Sequence, residues 1–430
     1  MSRKWYSLCL LLAALLTGCP AQPTADFSHG PSRKTVKVTF WGSPEEIEII
    51  TNSIKSWEAK HSDVEIRFEH TPFSGYASKI LTRIAGGAAP DIIATEVNMF
   101  VNFASKNVLE NLTPYIARDS SFSLEDFFSA VVKRFTVGGK IFAIPRDTAP
   151  FACVFYNKDL FDKAQVPYPT DDWTWEEMLE KAKKLTETDA MGRVTQYGFY
   201  GWAWQNFVYS AGGAVVDNVE NPVHCLLGTA ESKSGLQYYR DLILKHKVMP
   251  APVALANLGM GVDIMFSSGR LAMFLSGIWE TPSLRQHSFK WDVVMFPAGP
   301  GGNRRFGTGG TGYAILNSSR NKKEAWEVIK ALTDPPGQVE LAKRGLAQPA
   351  RKAVAEGIAF AQNQEPPANK KMLNKAVQYV IYDPFHPKWR EIEAKVISPE
   401  LELFFNGKQN VDETVSKIVP QVDELLASKD

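Results

Sequence analysis

The chain has 430 residues, 44% of them hydrophobic and 22% charged, with a formal net charge of +1. Such values describe a globular protein with room for roughly two to three domains. A charge balance this close to zero gives no electrostatic footprint for nucleic acid or an anionic membrane surface.

Residues 1–18 read as an export signal. Arg3 and Lys4 form a basic start, and the apolar run over 8–16 is too short to span a bilayer. The run stops at Leu16-Thr17-Gly18-Cys19, which resembles a bacterial lipobox, in which the cysteine thiol is acylated and becomes the new N-terminus. An ordinary signal peptide with a chance cysteine is the alternative. Without Arg3 and Lys4 the net charge moves from +1 to −1. No later apolar run approaches membrane-spanning length. Residues 19–34 are then the lipid-anchored tether, polar and rich in Pro, Gly and Ser over 24–34.

Alternation over 35–40 predicts a first strand. Ser43-Pro44-Glu45-Glu46 supplies an N-cap, a first-turn proline and a capping-box glutamate for a helix with Ile47, Ile50, Ile54 and Trp57 on one face. A strand over 64–68, a helix from Tyr76 to Gly86-Gly87 and a strand over 90–94 complete a β-α-β-α-β run. That run points to an α/β lobe with a largely parallel sheet. A second module starts near Pro145, with a strand ending at 154–156. A second capping box, Thr174 to Glu177, opens a helix with Leu179, Ala182 and Leu185 inward. Helices follow over 232–245 and 263–268, strands over 291–295 and 313–316, and a helix over 323–332. The tail from Val411 has Val415, Ile418, Val422 and Leu425 on one stripe, bent at Pro420.

The chemistry-bearing motifs are few. HExxH, GxSxG and the Walker loop are absent, and seven His lie without ligand spacing, so no metal or cofactor is expected. Gly307-Thr308-Gly309-Gly310-Thr311-Gly312 fits GxGxxG, but a strand follows where a dinucleotide site needs a helix. Cys153 and Cys225 sit among apolar neighbours, as either a disulfide or two buried thiols. Eleven Trp stand out instead. Trp41, Trp202, Trp204, Trp279 and Trp389 fall in loops near strand ends, where aromatic faces can stack on sugar rings.

Five stretches in order resemble the family 1 extracellular solute-binding proteins of ABC importers, the maltose-, multiple-sugar- and glycerol-phosphate-binding group. They are Gly86-Gly87-Ala88-Ala89-Pro90-Asp91-Ile92, Gly138-Gly139-Lys140 through Pro145, Tyr156-Asn157-Lys158-Asp159-Leu160-Phe161 with 175–186, Phe266-Ser267-Ser268-Gly269 through Met273, and Ser276-Gly277-Ile278-Trp279. The resemblance implies an α/β, two-lobe periplasmic-binding-protein fold of type II kind, each lobe a mixed, mainly parallel sheet, closing on ligand about hinge strands. The first lobe would take 35–147 and about 308–334, the second 148–307 and about 335–430. Crossings would fall near 146–150, near 307–311 and after about Leu332.

Carried over residue by residue, the resemblance implies ligand contacts from Trp41, Ser43, Glu96, Asn98 and the hinge acid Asp147. Trp202, with Trp204 or Gln205, and Trp279 would stack from the second lobe, joined by Trp389. Gly310, Thr311 and Gly312 would offer backbone N–H groups, and Arg351 would reach a hydroxyl or an acidic group. The implied protein is a monomeric lipoprotein tethered through Cys19 outside the cytoplasm, without enzymatic activity, which hands a carbohydrate to an ABC permease. Two alternatives stand beside it: a receptor for glycerol phosphate, with Arg146 and Arg351 as anion ligands, and an envelope enzyme with two carboxylates facing one another.

Overall fold

The computed structural model describes residues 33–258 and 260–428, so the signal segment and Cys19 lie outside the described residues. In the first lobe, β1 (Lys34–Phe40) leads into α1 (Pro44–Ser53), opened by the reciprocal Ser43–Glu46 capping box. Next come β2 (Val64–His70), α2 (Tyr76–Ala85), β3 (Ile92–Glu96) and α3 (Val97–Ser105). The helix from Pro44 stops short of Trp57, which falls in a separate turn and stacks on His61 at 4.0 Å.

The chain reaches the second lobe through β4 (Ile144–Pro145) and β5 (Asp147–Pro150). There it forms β6 (Cys153–Asn157), α4 (Trp175–Lys184), β7 (Tyr200–Gly201), α5 (Trp204–Ser210), β8 (Met273–Ser276) and β9 (Trp291–Met295). It returns through β10 (Phe306–Gly309) and β11 (Thr311–Ile315) to α6 (Lys322–Thr333) and α7 (Pro335–Arg344). The final pieces used here are β12 (Gln348–Pro349), β13 (Val380–Ile381) and α8 (Val411–Ala427). This last helix continues unbroken through Pro420, burying Val415, Ile418, Val422 and Leu426, with Leu425 half-buried.

Three sheets organise these pieces. The first has the order β2-β1-β3-β11-β4, with β1 parallel to β2 and β3, and β11 antiparallel to β3 and β4. The second has the order β7-β8-β6-β9. Here β6 runs antiparallel to both neighbours, and β7–β8 is the parallel pair, so this sheet is less parallel than the resemblance implies. The third, β12-β5-β10-β13, lies between them. Two strands of the first sheet thus continue into the third: β4 into β5 through Arg146, and β11 back into β10 through Gly310. Gly310 has φ +156°, and a Cβ there would sit 3.1 Å from the Asp147 carbonyl oxygen, so this crossing point favours glycine. The GxGxxG run is therefore a strand-to-strand crossing.

Each lobe has its own core. Val36, Val38, Ile92, Phe100, Ile315 and Ile329 anchor the first, and Val154, Phe155, Met178, Phe207, Val293 and Ile418 the second. The sequence expectation has the chain leave the first lobe near 334. In the structure α7 packs on α1 and α6, and Leu341, Leu346, Ala347 and Ala350 join the first core. Ala342 on the same helix already belongs to the second core, which Val354, Ala359 and Phe360 then join. The apolar face of α7 has its complement on α1, and burial there outweighs an earlier exit. Cys153 and Cys225 are free and buried in the second core. Among the described residues no helix is long and apolar enough to cross a membrane.

Candidate ligand-binding site

A cavity of about 420 Å³ lies where the two lobes and the crossing strands meet. That is within the usual range for small-molecule sites, and its place at the carboxyl ends of β1 and β3 is where open α/β sheets take ligands. Trp41 follows β1 directly and is held edge-on by Phe73 at 5.4 Å and Tyr76 at 5.0 Å. Glu96 ends β3 and caps α3, its Oε2 accepting the Asn98 N–H at 2.9 Å. At the crossing, the Arg146 Nε donates to Asp147 Oδ2 at 2.6 Å, and the Thr311 N–H donates to Oδ1 at 2.8 Å.

The second lobe supplies the facing wall. Trp202, 39% exposed, packs edge-on to Phe151 at 4.8 Å. Trp279 is set by its own motif. A Cβ on Gly277 would fall 1.8 Å from the Trp279 ring, so only glycine lets the indole fold over that backbone. Its Nε1 donates to Glu280 Oε1 at 3.0 Å, and the Ser276 hydroxyl donates to the same oxygen at 2.8 Å.

Charge in the cavity is lopsided. Five carboxylates line it (Glu46, Glu96, Asp147, Asp383, Glu393) against two guanidinium groups, Arg146 and Arg390. Arg390 bridges the lobes, 3.2 Å from Glu96 Oε2 and 3.6 Å from Glu393 Oε2. Burial pushes the Glu96 carboxyl up to about 7, with Arg390 pulling the other way. Burial and then the neighbouring Asp383 push Glu393 up to about 7 as well. Asp383 and Glu46 are likewise raised, chiefly by burial.

Of the residues singled out in the sequence, Trp41, Glu96, Asn98, Asp147, Trp202, Gln205, Trp279, Gly310 and Thr311 line this cavity. The others lie elsewhere. Ser43 is an exposed helix cap that accepts the Glu46 N–H, so its hydroxyl is committed to the helix. Trp204 packs half-buried on the second core, and Trp389 is buried in it. Gly312 is inside β11, with the Phe135 ring and the Ile144 carbonyl within 2.9 Å of where a Cβ would be. Arg351 is 5% exposed and paired with Asp126 at 2.7 Å and Asp334 at 2.9 Å, outside the cavity. Sequence reasoning missed Phe73, Phe151, Asp383, Arg390 and Glu393. Arg390 directly follows the Trp389 that was singled out, so the segment was found and the wrong neighbour chosen.

Residues 42–339 match the family described as bacterial extracellular solute-binding protein. A lipoprotein of Streptomyces antibioticus is 25% identical over 428 residues, covering 92% of this chain and 87% of the relative. Among solved structures, an ABC substrate-binding protein of Listeria monocytogenes in complex with cycloalternan superposes with TM-score 0.83 at 24% identity, covering 92% of this chain and all of that one. Maltose-bound MalE3 of T. maritima gives TM-score 0.78 at 24% identity, covering 91% of this chain and 99% of that one. The two solved structures establish the two-lobe fold, and with the family match over 42–339 the chain belongs to the bacterial extracellular solute-binding protein family.

Proposed function

We propose that this protein is the ligand-capturing lipoprotein of an ABC importer, and that its ligand is a carbohydrate taken up between the lobes. The observation that carries this reading is the cavity itself, walled by Trp41, Trp202 and Trp279 and lined with carboxylates and amides. Indole faces suit the C–H faces of sugar rings, while the polar groups take the hydroxyls. Cycloalternan and maltose, bound by the structural neighbours above, support the same class of ligand. The glycerol-phosphate reading loses its two cations: Arg146 is engaged by Asp147, and Arg351 lies outside the cavity. In the enzyme reading, two carboxylates would work freely from opposite lobes; the facing pair Glu96 and Glu393 instead shares Arg390, which leaves Asp383 as the cavity carboxylate without a hydrogen-bond partner among the described residues. Binding shifts an open–closed equilibrium about the crossings at Arg146 and Gly310, with 35–147 moving against 148–307.

The expected result is binding without turnover. At one hundred times Kd a bound sugar stabilises the native state by about 2.7 kcal/mol, a rise in melting temperature of roughly 3 °C for a chain of this size. Thermal denaturation across an oligosaccharide panel, with chromatography of each sugar after incubation, checks both halves. Time-dependent shortening of any glycan would replace this reading with the enzyme. At the other end of the chain, Cys19 is expected to carry diacylglycerol, with cleavage after Gly18. Mass spectrometry of the envelope protein tests this, and an N-terminus elsewhere or an unmodified Cys19 defeats it.

A further inference from the structure

The cavity's charged groups are five carboxylates against two guanidinium groups, and both guanidinium groups are already paired. Arg146 is taken up by Asp147, and Arg390 by Glu96 and Glu393. The Asp383 carboxylate accepts no hydrogen bond from the described residues. The Arg134 guanidinium behind it donates to the Asp383 backbone carbonyl at 2.7 Å and pairs with Glu220 at 3.7 Å. A separate observation points the same way. Asn98 is 5% exposed, lines the cavity, and its Oδ1 has no partner among the described residues. Two further buried cavity oxygens, Glu96 Oε1 and Gln205 Oε1, are equally unpartnered. The Gln205 amide is oriented by its Nε2 donating to Glu393 Oε1 at 3.4 Å, which leaves the oxygen facing no donor. The Asn98 and Gln205 oxygens can only accept, and Glu96 joins them when ionised, so the occupant must bring donors.

We propose that the cleft selects a sugar bearing a protonated amine, which sits between Asp383, Glu96 and the Asn98 and Gln205 amide oxygens with Trp41, Trp202 or Trp279 against its ring. This rests on the carbohydrate reading above and narrows it. An ammonium group brings three donors and no acceptor, matching the orphaned oxygens, and its charge offsets the carboxylate excess. Indole faces add cation–π attraction. A bare metal ion fits less well, because no group of three or more His, Cys, Asp or Glu among the described residues could hold one. A neutral sugar would satisfy the acceptors through hydroxyls but leave the carboxylates to relieve their mutual repulsion by taking up protons, as the raised Glu96 and Glu393 already do in part.

The test uses pairs of sugars that differ only in an amine for a hydroxyl: glucosamine and glucose, galactosamine and galactose, and the glucosamine disaccharide against cellobiose. Titration calorimetry at pH 7 is expected to show at least one amine binding tenfold or more tighter than its hydroxyl partner. Asp383→Asn should reduce that preference by at least tenfold. The facing groups are Glu46, Glu96, Asp147, Asp383 and Glu393, with Arg146, Arg390 and Arg134 as fixed cations. Glu96 and Glu393 titrate near 7, so the amine's affinity should fall by tenfold or more between pH 7 and pH 5 as they take up protons. Equal affinity within every pair, or a preference for the hydroxyl, overturns the amine inference while leaving the carbohydrate reading standing. No binding by either member of any pair, together with no hit in the oligosaccharide panel, overturns both.

Discussion

Trp279→Ala is expected to weaken binding of the proposed sugar ligand by about 2–4 kcal/mol, the order found for aromatic anchors at the centre of a binding site. The ring is half-buried and held in place by its neighbours. Gly277 lies beneath it and Glu280 holds its Nε1, so little conformational entropy remains to be lost on binding. Truncation opens the cavity wall to solvent instead of leaving a sealed void, so the stability cost should stay below the roughly 3–5 kcal/mol of a core Trp. Calorimetric titration and urea denaturation on the same variant separate the two effects. Near-wild-type affinity combined with a core-sized loss of stability would remove Trp279 from the site.

The elements nearest the cavity were legible where local chemistry fixes them. Ser43 with Glu46 and Thr174 with Glu177 form the reciprocal caps that their spacing predicts, because a cap is satisfied within four residues. The same logic shows why Ser43 was misplaced as a ligand contact: a hydroxyl committed to a helix N-terminus is not free for a sugar. Trp279 was legible because it follows a strand end in the Ser276–Trp279 stretch, and the structure adds why it sits there: its ring folds over Gly277. Asp383, Arg390 and Glu393 were not, since they reach the cleft on a segment that packs across both lobes. Tyr382 enters the first core, Trp389 the second, and the Asn102 Nδ2 donates to the Pro387 carbonyl at 3.3 Å. No local period marks such a crossing. Phe73 and Phe151 failed for a different reason, because an aromatic beside a strand reads equally as core until the opposite lobe is in place.

Arg351→Ala is expected to cost about 3 kcal/mol of folding stability and to leave ligand affinity unchanged. The side chain is 5% exposed, and four groups depend on it. Its Nε donates to the Thr333 carbonyl at 2.7 Å, its two terminal nitrogens pair with Asp126 and Asp334, and its guanidinium lies 4.4 Å from the Phe127 ring centroid. Removing one partner from a buried ion pair costs roughly 3–5 kcal/mol, because the other charge is left uncompensated. Here the Asp126 and Asp334 side chains are 55% and 41% exposed and regain water, which places the loss at the lower end. Arg351→Lys keeps the charge but cannot reproduce three directed bonds from one planar group, so it should recover only part of the loss. The segment is also fastened to the first lobe, since Phe127 and Arg351 form a β-bridge just beyond β12. Urea denaturation read beside calorimetric titration decides the matter. A tenfold loss of affinity at unchanged stability would return Arg351 to the binding site, against its position in this fold.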